Sequence, residues 1–364
     1  MMEELMYQYW LLSLQTITNS HKCRLIEYFG SSFEVFMASE ENLREASILN
    51  DEEILGLQKS REKDIFNECK KFCDNGFSFV TLENDEYPKS LLSISGKPYG
   101  LFYIGSLPKC ERDCVAIVGA RMCTSYGQKV AFELAKLLSE SGYTVVSGMA
   151  KGIDSFSHEG ALEGCGGTVA VLGCGVNVVY PKENGRLYER IVEKGCVISE
   201  YPLDTSPLAR QFPSRNRIVS GLCKRVVVVE AKEKSGSLIT ADMAMDQGKD
   251  VYVVPGRLTD SLSAGCNSLI SQGAQIITGL ASFVANVYRE DGKAGVQVKV
   301  DKTKGFFLDK QELLVYSCLD FYPKSLSFIE FETGLQVTEL MSVIMNLVQK
   351  GLIREIFKNQ YAYA

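Results

Sequence analysis

The stretch Cys114-Val-Ala-Ile-Val-Gly-Ala-Arg-Met-Cys-Thr-Ser-Tyr-Gly127 decides how the chain is read. Val115–Val118 is a short unbroken apolar run, the pattern of a strand covered on both faces. Gly119 follows as a turn residue, and an amphipathic helix is then expected from about Tyr126 to Ser141. The unit repeats downstream. Thr144–Ser147 precedes a helix from Ile153, and Thr168–Leu172 precedes one near Asn184–Lys194. After Val197–Ser199, Val226–Val229 leads into a helix from Gly236 to Gln247, and Val251–Val254 and Gln275–Ile277 close the series. Short apolar strands alternating with helices of about 10–15 residues predict an α/β fold: a doubly wound, mainly parallel sheet with helices on both faces.

The flanks have a different texture. Residues 5–75 read as short helices, with Leu11, Leu14, Ile17 and then Leu25, Ile26, Phe29 at helical spacing and Gly30 as a stop. Tyr87-Pro88 and Lys97-Pro98 punctuate an extended connector. A polar linker is expected over residues 291–305. Beyond it, helices around Gln311–Leu319, Leu326–Glu332 and Thr338–Lys350 precede a hairpin of Leu352–Phe357 and Tyr361–Ala364, the pattern of a winged helix. The expected domains are therefore residues 1–80 (helical), 85–290 (α/β) and 306–364 (winged-helix-like).

Composition excludes several classes. Over 364 residues, 46% hydrophobic and 23% charged content is that of a globular protein and not of a disordered one. The apolar runs are strand-sized, so no membrane span is expected. Glu3 and Glu4 stand where a secretory leader would be basic. The 12 cysteines are scattered without a C-x-x-C pair, which fits a reduced cytoplasmic protein better than a disulfide scaffold. With two histidines, a His-based metal site is not expected. The net charge of -6 is uneven: residues 1–113 carry 12 basic and 19 acidic groups, residues 114–289 carry 18 and 16, and the remainder 9 and 10. Only the middle has a positive balance.

The candidate site residues lie in that middle segment. Gly119 permits a tight turn before a helix whose free N–H groups suit an anion, and Arg121 would project over the carboxyl edge of the sheet, where open α/β folds bind ligands. A turn glycine beside a surface arginine is the plainer reading. The first turn lacks G-x-G-x-x-G, so no dinucleotide cofactor is implied. In Ser147-Gly-Met-Ala-Lys-Gly-Ile-Asp154, Lys151 between glycines suits phosphate, and Asp154 suits a helix start. His158 reads as a packing residue. In Gln211-Phe-Pro-Ser-Arg-Asn-Arg217, the guanidiniums of Arg215 and Arg217 match phosphate and Phe212 offers a base a stacking surface. The alternative puts Phe212 in the core and pairs one arginine with Glu200 or Glu230. Ser235-Gly236-Ser237 can cap a helix and leave its N–H groups toward an anion. Lys249, with the turns at Val254-Pro-Gly256 and Gly265-Cys-Asn267, is expected at the same edge of the sheet. Neither a nucleophile triad nor a carboxylate pair is visible, so the chain reads as a binder, with no catalytic residue, metal or cofactor.

Taken together, Val-Gly-Ala-Arg121, Ser-Gly-Met-Ala-Lys-Gly-Ile-Asp154, Ala-Val-Leu-Gly-Cys-Gly175, Tyr-Pro-Lys-Glu-Asn184, Phe-Pro-Ser-Arg-Asn-Arg217 and Lys-Ser-Gly-Ser-Leu-Ile-Thr240 resemble, in order and spacing, the DNA-processing protein DprA (Smf) family, densely from about residue 85 to 287. The resemblance implies an extended Rossmann-like fold between a SAM/helix-hairpin-helix-like N-terminal domain and a C-terminal winged helix. It also implies sequence-nonspecific binding of single-stranded DNA, homodimerisation, and loading of a RecA-type recombinase in natural transformation. By motif, Arg121, Phe212, Arg215, Arg217 and Lys249 resemble the family's DNA-contacting positions, with Lys151 beside them. The turn reads Gly-Ala-Arg where many members have Gly-Ser-Arg, and Thr16-Ile-Thr-Asn19 lacks a glycine hairpin. The competing expectation is a nucleotide-processing enzyme of the LOG type using Glu230, although Lys-Ser-Gly-Ser-Leu-Ile-Thr240 stands where that class has Pro-Gly-Gly-x-Gly-Thr.

Overall fold

The computed structural model of the chain describes residues 2–108, 114–292 and 308–363. These fall into two compact units, one drawn from Met1–Cys123 and Val130–Val296, the other from Thr124–Lys129 and Gln297–Ala364. The expected linker at 291–305 lies, from residue 293 on, outside the described residues.

The first unit is built on a nine-stranded sheet: β1 (Ser78–Thr81), β2 (Gly100–Gly105), β3 (Cys114–Val118), β4 (Thr144–Ser147), β5 (Thr168–Val171), β6 (Cys196–Ser199), β7 (Arg225–Val228), β8 (Asp250–Val253) and β9 (Gln275–Ile276). Their order is β1-β2-β6-β5-β4-β3-β7-β8-β9. From β6 to β9 every pairing is parallel, and all five residues of β3 and all four of β7 are buried, as continuous apolar strands covered on both faces must be. The chain winds from β3 outward to β6 and then returns to the other side of β3. This reversal between β3 and β7 parts the loops that follow them and opens a crevice at their carboxyl ends. The expected α/β fold holds, as an extended Rossmann-like sheet.

Three features were not expected from the sequence. The connector at residues 87–98 is flanked by β1 and β2, strands that add an antiparallel pair to the sheet through β2 and β6. The segment around Phe212 is a helix, Gln211–Gly221, with Pro213 in its first turn, where the missing N–H costs nothing. The Gly265-Cys-Asn267 turn is likewise the start of a helix, Ala264–Ser271. A Cβ on Gly265 would lie 2.6 Å from the Lys232 carbonyl oxygen, so glycine lets this helix press on the loop after β7.

The N-terminal helices Met2–Ser13, Asn19–Phe29, Ser32–Met37, Glu40–Glu45, Asp51–Ser60 and Ile65–Asp74 belong to the same unit. Helices this short are marginal alone and rely on caps and burial. Thr18, Ser31, Ser39, Asn50 and Asp64 each accept a hydrogen bond from a first-turn N–H, and Gly30 ends the second helix at φ +91°. Trp10, Leu11, Leu25, Leu43 and Leu57 form their core together with Tyr99 and Phe102.

In the second unit, helices Lys310–Cys318, Leu326–Thr333 and Val337–Gln349 accompany β10 (Lys324–Ser325), β11 (Ile353–Phe357) and β12 (Gln360–Tyr363), the element order of a winged helix. Val315, Ile329, Leu340, Ile344, Leu347 and Ile353 fill its core. Val337–Gln349 holds the position of a recognition helix but exposes Val337, Met345 and Val348 and carries only Glu339 as a charge. That is poor chemistry for phosphate.

Candidate functional site

A cleft of about 720 Å³ opens at the carboxyl edge of the sheet. Its walls are the turn after β3 (Val118–Met122), the loop and helix start after β7 (Lys232, Lys234–Ser237), and the first turns of helix Gln211–Gly221. Its place follows from topology: the loops after β3 and β7 leave the sheet in opposite directions, which opens a space between them among the described residues. Gly119 makes the tight exit from β3. A Cβ there would be 2.7 Å from Ile153 and 3.0 Å from the Glu230 carbonyl oxygen, which accepts the Ala120 N–H at 2.7 Å.

Six of the expected residues line this cleft: Arg121, Phe212, Arg215, Ser235, Gly236 and Ser237. Arg121 is exposed, and its guanidinium lies 5.9 Å from the centroid of the Phe212 ring, within cation–π range. Phe212 is half-buried. Its ring rests on Gly173, where a Cβ would come within 3.0 Å, and it contacts Tyr180 with ring centroids 5.3 Å apart. Ser235 caps helix Gly236–Asp246, its hydroxyl bonded to that of Ser237 at 2.7 Å, while nothing stands within 4 Å of a Cβ built on Gly236.

Arg215 and Arg217 are not the free cations that spacing alone suggests. Gln211, Arg215, Ile218 and Val219 share one helical face, and Ile218 and Val219 are core residues. Arg215 is drawn down with them and is 5% exposed. Its guanidinium donates to the carbonyl oxygens of Gly148, at 2.9 Å, and of Val171. Asp154 faces it: a Cβ on Gly148 would lie 2.6 Å from an Arg215 nitrogen and 2.7 Å from an Asp154 carboxylate oxygen. Asp154 also accepts the N–H groups of Gly148 and Ala150 at 3.1 and 3.3 Å. Burial raises the Asp154 carboxyl above its ordinary range and Arg215 opposes this; burial lowers Arg215 and Asp154 opposes that. The arginine therefore pins helix Gln211–Gly221 to the loop after β4.

Arg217 meets the alternative expectation. It pairs with Glu200 at 2.5 Å and donates to the carbonyl oxygens of Gly96 and Ser214 at 2.7 and 2.9 Å. Asn19 reaches the same carboxylate at 3.2 Å. Arg217 thus ties the loop before β2, the end of β6 and the N-terminal helices to one helix.

Two lysines lie elsewhere. Lys151 is exposed, outside the cleft lining, and pairs with Glu183 at 2.6 Å. Lys249 precedes β8, so it sits at the amino edge of a parallel sheet, opposite the cleft, beside Lys89 and Lys224 in a pocket of about 380 Å³. The expectation of one common edge fails for Lys249 because chain direction puts residues before and after a parallel strand at opposite ends. Conversely, Lys232, Lys234 and Tyr180 line the cleft and were not singled out. The lysines could have been found from their place just past β7. Tyr180 opens the Tyr-Pro-Lys-Glu-Asn184 motif, but its meeting with Phe212, 32 positions on, had no local signal.

His158 has the packing place expected of it. It is fully buried with Nδ1 2.7 Å from the Thr168 hydroxyl. That hydroxyl gives its own proton to the Val145 carbonyl oxygen, so Nδ1 must be the protonated nitrogen. Burial, reinforced by Arg215, lowers the imidazole to about 3.

An open, mainly parallel sheet whose switch-point crevice is lined by exposed cations and an aromatic pair defines an extended Rossmann-like protein. A family profile for DNA recombination-mediator protein A matches residues 78–288. The DNA processing protein DprA of Streptococcus pneumoniae R6 is 38% identical over 280 residues, covering 75% of this chain and 94% of that protein. The chain belongs to this DNA recombination-mediator protein A (DprA) family. The S. pneumoniae DprA crystal structure superposes with TM-score 0.69 at 36% identity, over 77% of this chain and 97% of that one. DNA processing protein A of Helicobacter pylori, solved for its single-stranded DNA binding mode, superposes with TM-score 0.55 at 32% identity, over 59% and 97%.

Proposed function

We propose that the cleft binds single-stranded DNA without sequence preference and makes or breaks no covalent bond. The observation that carries this reading is the placement of exposed Arg121, Lys232 and Lys234 around the Phe212–Tyr180 pair, beside the capped start of helix Gly236–Asp246. Cations and helix N–H groups hold phosphates, and the aromatic surface takes bases of any identity. Arg215 and Arg217 act beneath the surface as anchors. Glu230, the carboxylate that nucleotide hydrolysis would call on, is 5% exposed and does not line the cleft.

The wider role in this proposal is that the protein, as a homodimer in the cytoplasm, receives strands in transformation and passes them to a RecA-type recombinase; membership of the DNA recombination-mediator protein A family and the single-stranded DNA binding mode of the H. pylori relative support it. Among the described residues no helix is long and apolar enough to cross a membrane. Fluorescence anisotropy with a labelled oligothymidylate over a salt series tests the core of this reading. Three phosphate contacts predict a slope of log K against log salt of about -2. Equal or tighter binding to duplex DNA overturns it.

A further inference from the structure

Of the two rings in the cleft, the more open one is not the one the sequence pattern offers. Phe212 is half-buried, seated on Gly173 and approached by the Arg121 guanidinium. Tyr180 is 40% exposed, lines the same cleft, and touches Phe212 at 5.3 Å with an interplanar angle of 34°. The two rings form a stepped ledge, with Phe212 as the inner step. A large aromatic side chain held partly exposed in a charged crevice keeps an apolar surface in water, and a nucleobase is the part of a polynucleotide that would cover it.

We infer that Tyr180 is a base-stacking platform of the cleft, with Phe212 supporting it from behind. The inference rests on the single-strand reading given above and adds to it the place where an unpaired base is held. Stacking is indifferent to base identity but demands a base, so the cleft distinguishes a base-bearing strand from a bare sugar-phosphate chain of equal charge.

The test compares oligothymidylate with an abasic oligonucleotide of the same length. Tyr180→Ala is expected to weaken oligothymidylate binding roughly 5- to 150-fold, the range set by loss of one stacked base. It should leave abasic binding and the salt slope unchanged, since no charge is removed, and Tyr180→Phe should retain wild-type affinity. Tyr180→Trp gives a direct signature. The chain has one tryptophan, Trp10, which is 2% exposed among the N-terminal helices. Fluorescence of the added indole should be quenched by oligothymidylate and not by the abasic strand. Circular dichroism and thermal melting establish that each variant is folded. Wild-type protein that binds both strands equally, or Tyr180→Ala that keeps full affinity while folded, overturns the platform and leaves the DNA reading standing. Wild-type protein that binds neither strand overturns both.

Discussion

Replacing Arg215 by methionine separates an anchor from a DNA contact. The side chain is 5% exposed, its guanidinium serves the carbonyl oxygens of Gly148 and Val171, and it faces a buried Asp154. Methionine fills comparable volume but leaves that carboxylate without its counter-charge. Breaking a buried pair by removing one partner costs about 3–5 kcal/mol. For a unit of this size the melting midpoint should fall by roughly 6–20 °C at pH 7.5. The loss has a pH signature. Asp154 already has a raised folded pKa, and without Arg215 it rises further. A carboxyl raised on folding favours the fold when protonated and opposes it when ionised, so the penalty shrinks as pH falls. The cycle with Asp154→Asn should show a coupling of about 0.5–3 kcal/mol, because the second substitution removes the charge the first one strands. Thermal melts by circular dichroism measure both, and anisotropy at low temperature measures DNA binding by the folded fraction. A midpoint unchanged within a degree, together with a tenfold or greater loss of single-strand affinity, overturns the anchoring role and makes Arg215 a strand contact.

Arg121→Ala, Lys232→Ala and Lys234→Ala should each lower the salt slope by about 0.7 without moving the melting midpoint; an unchanged slope removes that residue from the phosphate set. Lys249→Glu should leave cleft affinity unchanged at 0.15 M salt, since the four residues of β8 span about 13 Å, beyond the Debye length of about 8 Å; a marked loss would place a second DNA segment at the amino edge. His158, lowered to about 3 on folding, contributes stability present above its ordinary value of 6.5 and lost progressively as pH falls below it, about 3 kcal/mol by pH 4. His158→Leu should flatten the pH dependence of the melting midpoint between pH 6.5 and 4, and an unaltered profile would show that other groups govern it.

Local pattern was enough for the framework. Parallel strands buried on both faces must be continuously apolar, so Val115–Val118 and Val226–Val229 announce themselves, and the glycine between β3 and its helix marks the crevice. More was legible than the spacing of charges suggested. Gln211, Arg215, Ile218 and Val219 recur at helical intervals, which already puts Arg215 on the core side, and chain direction alone puts Lys249 at the amino edge. Other features had no local trace. Glu200 becomes the partner of Arg217 only because the end of β6 comes alongside helix Gln211–Gly221, while Gly96 and Asn19 reach the same cluster from far earlier in the chain. Tyr180 acquires its place by meeting Phe212 across the cleft. Spacing along a helix or strand fixes which way a side chain faces, but what it meets there depends on loops that close over tens of residues, and only the packed sheet sets those distances.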